Sequence, residues 1–367
     1  MDNGELLSKI FDIDTVLDKK QSYILFGADV KGSMVYDLLT QNGFTVNCFV
    51  DNDTKKHGVK FGGLDVFPAD MLVDSKESKI ILTISPVNIH IVYNQLDAMG
   101  ISRERVITPK IGEFAPYGSR SAVLSELEKN KDNLQKVECL LEDENSKNVL
   151  RGLIRYCDRL EVADLMAICD RRYPQYFDEE LIVFGDGEVF IDGGCLDFST
   201  SLEFIGRAAR YKKIYAFEPD KHNFVRVKEI VKGLSEDLGR DRIEIINKGI
   251  YSDEKIAAFD AKGSFDSRVV DVGANEIELD SLDNTIDEAS FIKFDIEGCE
   301  YEGLLGSRRI IQQCRPKLAI SVYHKLSDLW KIPLLIKELY GGYRLYFRQY
   351  NDVLPNETIC YAIPEGF

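Results

Sequence analysis

The sequence predicts an α/β protein built from two mostly parallel, doubly wound sheets joined by a helical connector. Three observations predict it. Strand-like apolar runs alternate with helical segments from about residue 20 to 110, and again from about 181 to 367. Both stretches open with a buried strand, a glycine turn and a helix. Between them, from about 118 to 180, apolar residues recur at helical spacing and give no strong strand signal until the end. A chain of 367 residues has room for two or three domains. The divisions are expected at 1–115, 116–180 and 181–367.

In the first stretch, Tyr23–Phe26 reads as a short buried strand and Gly27–Gly32 as a turn. Met34–Gln41 reads as a helix, Phe44–Val50 as a second strand ending at Asp51, and Lys79–Ile84 as a third, followed by a helix through Met99. In the connector, Leu124, Leu127, Leu134, Val137 and Leu141, then Val149, Leu150, Leu153, Ile154 and Cys157, form apolar stripes. Such a stripe either packs the two domains together or forms the seam of a homodimer. In the third stretch the strands are expected at Glu188–Ile191, Lys213–Phe217, Ile243–Asn247, Phe291–Asp295, Lys317–Val322, Tyr343–Arg348 and Thr358–Ile363. The link between the last two is too short for a parallel crossover, so they must pair antiparallel.

Composition removes several function classes. Lys and Arg number 46 against 62 Asp and Glu, a formal charge of −16, and the charge is spread along the chain. Such a surface repels a phosphate backbone, so nucleic-acid binding is not expected. No apolar run is long enough to span a bilayer, and the opening MDNGELLSKIFDID lacks the order of a signal peptide. The eight cysteines form no C-x-x-C pair, which suits reduced thiols in a cytoplasmic protein. The four histidines make no short-range pair, so no metal ligand is assigned.

Three segments carry candidate chemistry. The first is VFIDGGCLDFSTSLEFIG, residues 189–206. A buried strand ends at Asp192, and Gly193 and Gly194 let the backbone turn sharply and approach a ligand. Glu218, in KKIYAFEPD at the end of the next strand, is placed to accept hydrogen bonds from a ribose diol. The second is FIKFDIEGCEYEGLLG, residues 291–306, where Asp295, Glu297 and Glu300 follow a strand end. They either position a substrate hydroxyl or a cation, or favour a helix N-terminus. The third is LAISVYHKLSDLWKIP, residues 318–333, which puts His324 past a strand end on the same sheet edge. With an ordinary pKa near 6.5 it could take a hydroxyl proton.

Together, IKFDIEGCEYEGLLG, SVYHKLSDLWKIP and YRLYFRQY, with INKGIYSDE before them, resemble the FkbM-type methyltransferases over about residues 188–363. The resemblance implies a class I methyltransferase sheet with an antiparallel last strand, S-adenosylmethionine as cofactor, and methylation of hydroxyl oxygens on sugars or natural products. Carried over by position, Asp192, Gly193 and Gly194 match the motif cradling the methionine part of the cofactor, and Glu218 the ribose acid. Asp295 and Glu297 match the Asp-x-Glu-Gly signature near the reacting centre, with Glu297 counted among the cofactor-binding residues and Asp295 among the catalytic ones. His324 matches the Tyr-His-Lys stretch.

One departure is Phe198, where members usually have a further glycine; its bulk is expected to narrow the cofactor loop. The first domain, with ILFGADVKG and CFVDNDTKKHG, resembles the small Rossmann-like domains beside sugar-modifying enzymes. Asp29 replaces that motif's middle glycine and puts a negative charge where a pyrophosphate would sit. Asp51 would be its ribose acid.

The reading that results is a methyltransferase acting on a small-molecule or glycan acceptor through His324 and Asp295, its specificity set in loops such as 260–275. Two other readings stand beside it: a non-catalytic scaffold blocked by Phe198, and a nucleotide-sugar or nicotinamide enzyme run by the first domain.

Overall fold

The computed structural model describes residues 17–84, 89–108, 117, 120–159, 162–208, 210–260, 268–269, 275–352 and 355–366. The segment MDNGELLSKIFDID and most of 260–275 lie outside them. The chain divides into two compact units, Met1–Arg120 and Ser121–Phe367.

Among its described residues the first unit holds one sheet of six strands. These are β1 (Ser22–Phe26), β2 (Thr45–Val50), β3 (Lys60–Phe61), β4 (Leu64–Phe67), β5 (Lys79–Leu82) and β6 (Val106–Ile107), in the order β3-β4-β2-β1-β5-β6. All neighbours are parallel except β3 with β4. Tyr23 and Leu25 enter one apolar cluster and Ile24 and Phe26 another, so β1 is buried on both faces. That is why it reads as an uninterrupted apolar run. Helix α1 (Val30–Gln41) begins four residues before the expected Met34. The cause is Asp29, whose Oδ1 accepts the Gly32 N–H at 3.0 Å and so caps the first turn. Helix α2 (Ile89–Ala98) lies where a helix was expected, and β3, β4 and β6 were not anticipated.

The second unit opens with helices α3 (Arg120–Lys129), α4 (Lys131–Leu140), α5 (Glu144–Arg159) and α6 (Val162–Met166). Its main sheet has strands β7 (Val189–Gly193), β8 (Lys213–Phe217), β9 (Ile243–Ile246), β14 (Phe291–Phe294), β15 (Lys317–Ser321), β16 (Tyr343–Gln349) and β17 (Thr358–Pro364). Their order is β16-β17-β15-β14-β7-β8-β9. Strand β17 runs antiparallel to both its neighbours, so it alone is reversed. Stacked rings of Phe190 on β7 and Phe291 on β14, 5.0 Å apart, sit in the core of this sheet. A smaller sheet was not anticipated: β10 (Gly249–Ile250), β11 (Lys255–Asp260), β12 (Arg268–Val269) and β13 (Asn275–Asp280), in the order β10-β13-β11-β12. The remaining helices are α7 (Ser199–Arg207), α8 (Lys221–Lys232), α9 (Leu282–Thr285), α10 (Glu300–Leu305), α11 (Arg308–Cys314) and α12 (Asp328–Leu339).

The early helices cover the outer strand β16. Helix α4 packs on α12 and α5 on β16. Ser146 Oγ accepts the Phe347 N–H at 2.9 Å, and the buried Arg348 pairs with Asp143 at 2.8 Å and Asp178 at 3.0 Å. An edge strand that would otherwise present unpaired backbone is thereby closed. Leu134, Val137, Leu141, Val149, Leu150, Leu153 and Cys157, the centre of the apolar stripes, are buried. All eight cysteines are free thiols. Among the described residues no helix is long and apolar enough to cross a membrane.

Candidate active site

The site is built at the carboxyl edge of β7, β8, β14 and β15. Asp192, at the end of β7, is fully buried. Its Oδ1 pairs with Lys293 Nζ at 3.1 Å and its Oδ2 accepts the Ser201 hydroxyl at 2.6 Å. The same Lys293 ammonium donates to the carbonyls of Gly193 at 3.0 Å and Gly194 at 2.7 Å. Asp192 and Lys293 therefore hold the glycine turn in shape from below.

The turn has no room for side chains. A Cβ on Gly193 would lie 2.8 Å from the Phe294 ring, and one on Gly194 would lie 2.0 Å from the Asp295 carbonyl oxygen. Gly194 also has φ of +76°, open to glycine at little cost. The backbone after β7 is thus pressed against that after β14, which brings Gly194 beside Asp295. Leu196 and Phe198 in the same loop, Glu297 after β14, and Tyr176 also have positive φ, from 48° to 69°. Such conformations cost roughly 1–3 kcal/mol each and gather at functional sites.

Phe198 does not narrow the loop. Its left-handed backbone, φ 68° and ψ 7°, explains why a glycine suits the position. Its ring is fully buried in the core cluster with Phe177 and Phe204, away from the loop surface. The expectation of a blocked cofactor loop is corrected on that ground.

Glu218 follows β8 and is nearly buried. Its Oε2 accepts the Leu196 N–H at 3.0 Å and its Oε1 the Asp220 N–H at 2.9 Å. Burial pushes its carboxyl up to about 7, against the two backbone donors that favour the charged form. It stands at the glycine loop with lone pairs that further hydroxyl donors would satisfy. This is the environment in which a ribose diol fits, and with the close-packed glycine turn it fits a nucleoside cofactor.

Beside the turn, Asp295 Oδ1 accepts the Tyr323 hydroxyl and Oδ2 the Tyr176 hydroxyl, both at 2.8 Å. Burial alone would raise its pKa, but Lys293, His324 and the two hydroxyls hold it below the usual carboxylate range. His324 places Nε2 3.5 Å from Asp295 Oδ1 and 3.4 Å from Glu297 Oε2, and Nδ1 2.9 Å from Glu300 Oε1. Burial would lower the imidazole pKa, yet Glu300, Asp295 and Glu297 lift it to about 10. The ordinary value near 6.5 assumed from sequence therefore does not apply. Glu300 is fully buried, and its Oε1 accepts the Ile296 N–H at 2.8 Å.

Asp192, Gly193, Gly194 and Glu218 thus surround one turn, and Asp295, Glu297 and His324 gather beside it. Sequence reasoning missed Lys293, Tyr176 and Tyr323. Lys293 carried a signal, a lone charge inside the apolar run of β14, since a buried lysine needs partners. Tyr323 precedes His324 directly. Tyr176 is 119 residues from Asp295 and carried none.

Residues 188–354 match the family model of the methyltransferase FkbM domain. The methyltransferase FkbM of Methylobacillus flagellatus KT superposes with a TM-score of 0.73 at 19% identity, covering 99% of this chain and 93% of that one. At that identity the likeness speaks for the fold. An rRNA methylase from Streptococcus thermophilus aligns at 16% identity over 50% of this chain and 89% of its own, with a TM-score of 0.31. The UDP-D-quinovosamine 4-dehydrogenase of Vibrio fischeri aligns at 21% identity over 24% of this chain and 76% of its own, with a TM-score of 0.21. These last two likenesses are too weak to carry an argument. No curated protein matches the chain.

Proposed function

We propose that the FkbM-type methyltransferase domain of this chain, which takes S-adenosylmethionine as its cofactor, methylates a hydroxyl oxygen on a sugar, glycan or natural-product acceptor. The observation that carries this reading is the close approach of Gly194 to Asp295, which puts the cofactor turn beside the Asp295–His324 cluster. When bound, the cofactor supplies an electrophilic sulfonium methyl. The chain must then align the acceptor oxygen and remove one proton. Gly193 and Gly194 offer backbone to the methionine part, with Asp192 bracing the turn through Lys293. Glu218 takes the ribose hydroxyls. Asp295, held as a carboxylate, takes the acceptor proton, and His324, which keeps its own proton, orients the acceptor; Glu297, 3.4 Å from His324 Nε2, joins the cofactor-binding set. The eight free thiols support a reducing, cytoplasmic setting.

The test is incubation with S-adenosylmethionine deuterated in its methyl group and a panel of monosaccharides, oligosaccharides and hydroxylated natural products, followed by mass spectrometry. The reading expects a labelled ether that survives mild alkali. A label found only on nitrogen or carbon, or transferred to no acceptor in the panel, overturns it.

A further inference from the structure

We infer that Asp295, Glu300 and His324 form a binding site for one divalent first-row transition-metal ion. The inference rests on the methyltransferase reading for its role and on geometry for its existence. Each of the three residues offers a ligand atom, and these atoms lie within 4.8 Å of one another. Oxygen and nitrogen ligands about 2.0–2.2 Å from an ion lie roughly 3–4 Å apart. The 2.9 Å between His324 Nδ1 and Glu300 Oε1 falls near that spacing.

A second observation points to an occupant. Glu300 is fully buried, yet its Oε2 has no hydrogen-bond partner, and His324 Nδ1 also lacks a well-directed one. A buried carboxylate oxygen left bare is costly unless something positive meets it. The neighbouring lysines are engaged elsewhere. Lys293 holds Asp192 and the glycine turn, and Lys325 Nζ donates to the Gly298 carbonyl. Meanwhile Glu297 and Asp328 add two more carboxyl groups around the same imidazole.

The ligand chemistry narrows the ion. An imidazole with carboxylates suits manganese, iron, cobalt or zinc better than magnesium or calcium. Glu297, with its side chain 36% exposed, stands on the open side. An ion here would hold an acceptor hydroxyl by its oxygen and make it more acidic, without altering the transfer itself.

The experiment uses the full chain, stripped of metal by chelation and titrated with Mn²⁺ while free Mn²⁺ is followed by electron paramagnetic resonance. One Mn²⁺ per chain is expected. His324→Gln and Glu300→Gln should each weaken it by more than about 10-fold, while both variants keep the wild-type circular dichroism spectrum and cooperative thermal unfolding, which shows that they fold. Absence of stoichiometric Mn²⁺, Co²⁺ and Zn²⁺ binding by the wild type overturns the inference, as does binding undiminished in both variants. The Mn²⁺ readout needs no cofactor. Failure to bind S-adenosylhomocysteine would therefore overturn the methyltransferase reading and leave the metal result standing on its own.

Discussion

The two units open with the same frame, a buried strand, a glycine turn and a helix, and in each an acid after the second strand reaches back to the turn. Ala28 N–H donates to Asp51 Oδ2 at 2.8 Å, and Leu196 N–H to Glu218 Oε2 at 3.0 Å. The electrostatics are opposite. Burial would raise the Asp51 pKa, but Lys56 at 2.9 Å and the backbone donors of Asp53 and Ala28 hold it low. Glu218 makes no ion pair among the described residues and is pushed up to about 7. Asp29 caps α1 with its own carboxylate, whereas Phe198 gives α7 no side-chain cap. The first turn satisfies itself. The second leaves its acid to be satisfied from outside. A shared backbone frame therefore does not make the two turns alike; the Lys56 ion pair on Asp51, with no counterpart at Glu218 among the described residues, distinguishes them.

The largest expected effect separates the lysines beside the two turns. Lys293 is buried on a buried Asp192, so Lys293→Met should cost about 3–5 kcal/mol in urea denaturation. Lys56 is 37% exposed, and Lys56→Met should cost about 0–1 kcal/mol. Equal losses would break the comparison.

Next come the acids themselves. Glu218→Ala should weaken S-adenosylhomocysteine binding by about 1.5–3 kcal/mol, roughly 10- to 150-fold. Asp51→Ala should leave it within about twofold, read by calorimetry on the same preparation.

Proton linkage is a smaller effect with a definite sign. Ribose hydroxyls donate to the charged carboxylate, so binding must drive Glu218 to lose its proton. Affinity should then rise about tenfold from pH 6 to pH 8, and Glu218→Gln should flatten the profile. Without cofactor the sign reverses. A carboxyl raised from 4.5 to about 7 makes the folded state bind its proton more tightly than the unfolded chain. The fold then loses up to about 3 kcal/mol between those pH values and nothing further above them. An affinity that is level across this range in the wild type would remove Glu218 from the ribose.

The smallest expected effect concerns the first unit. NAD and UDP-sugars should shift the melting temperature by less than about 1 °C. A rise of several degrees would show that its turn is open after all.

Much of this contrast was legible in the sequence, and the illegible parts have physical reasons. The strands of both main sheets stand out because strands buried on both faces are unbroken apolar runs, as in Tyr23–Phe26 and Val189–Ile191. The small sheet of β10 to β13 was invisible, since two of its strands have two residues each and β13 alternates acidic with apolar. Asp29 reads as a damaged nucleotide motif, though its local work is to cap a helix. Phe198 reads as an obstruction because sequence cannot say which way a ring points. His324 was legible as a candidate. Its proton affinity was not, because three carboxylates brought together by folding set it.

The central claim is that one of the two turns is open to the cofactor and the other closed. Calorimetric titration of the full chain with S-adenosylhomocysteine at pH 8 tests it most directly. One molecule should bind per chain, with that binding weakened in Glu218→Ala and kept in Asp51→Ala. Two molecules per chain, or one whose binding survives Glu218→Ala and falls in Asp51→Ala, would contradict it.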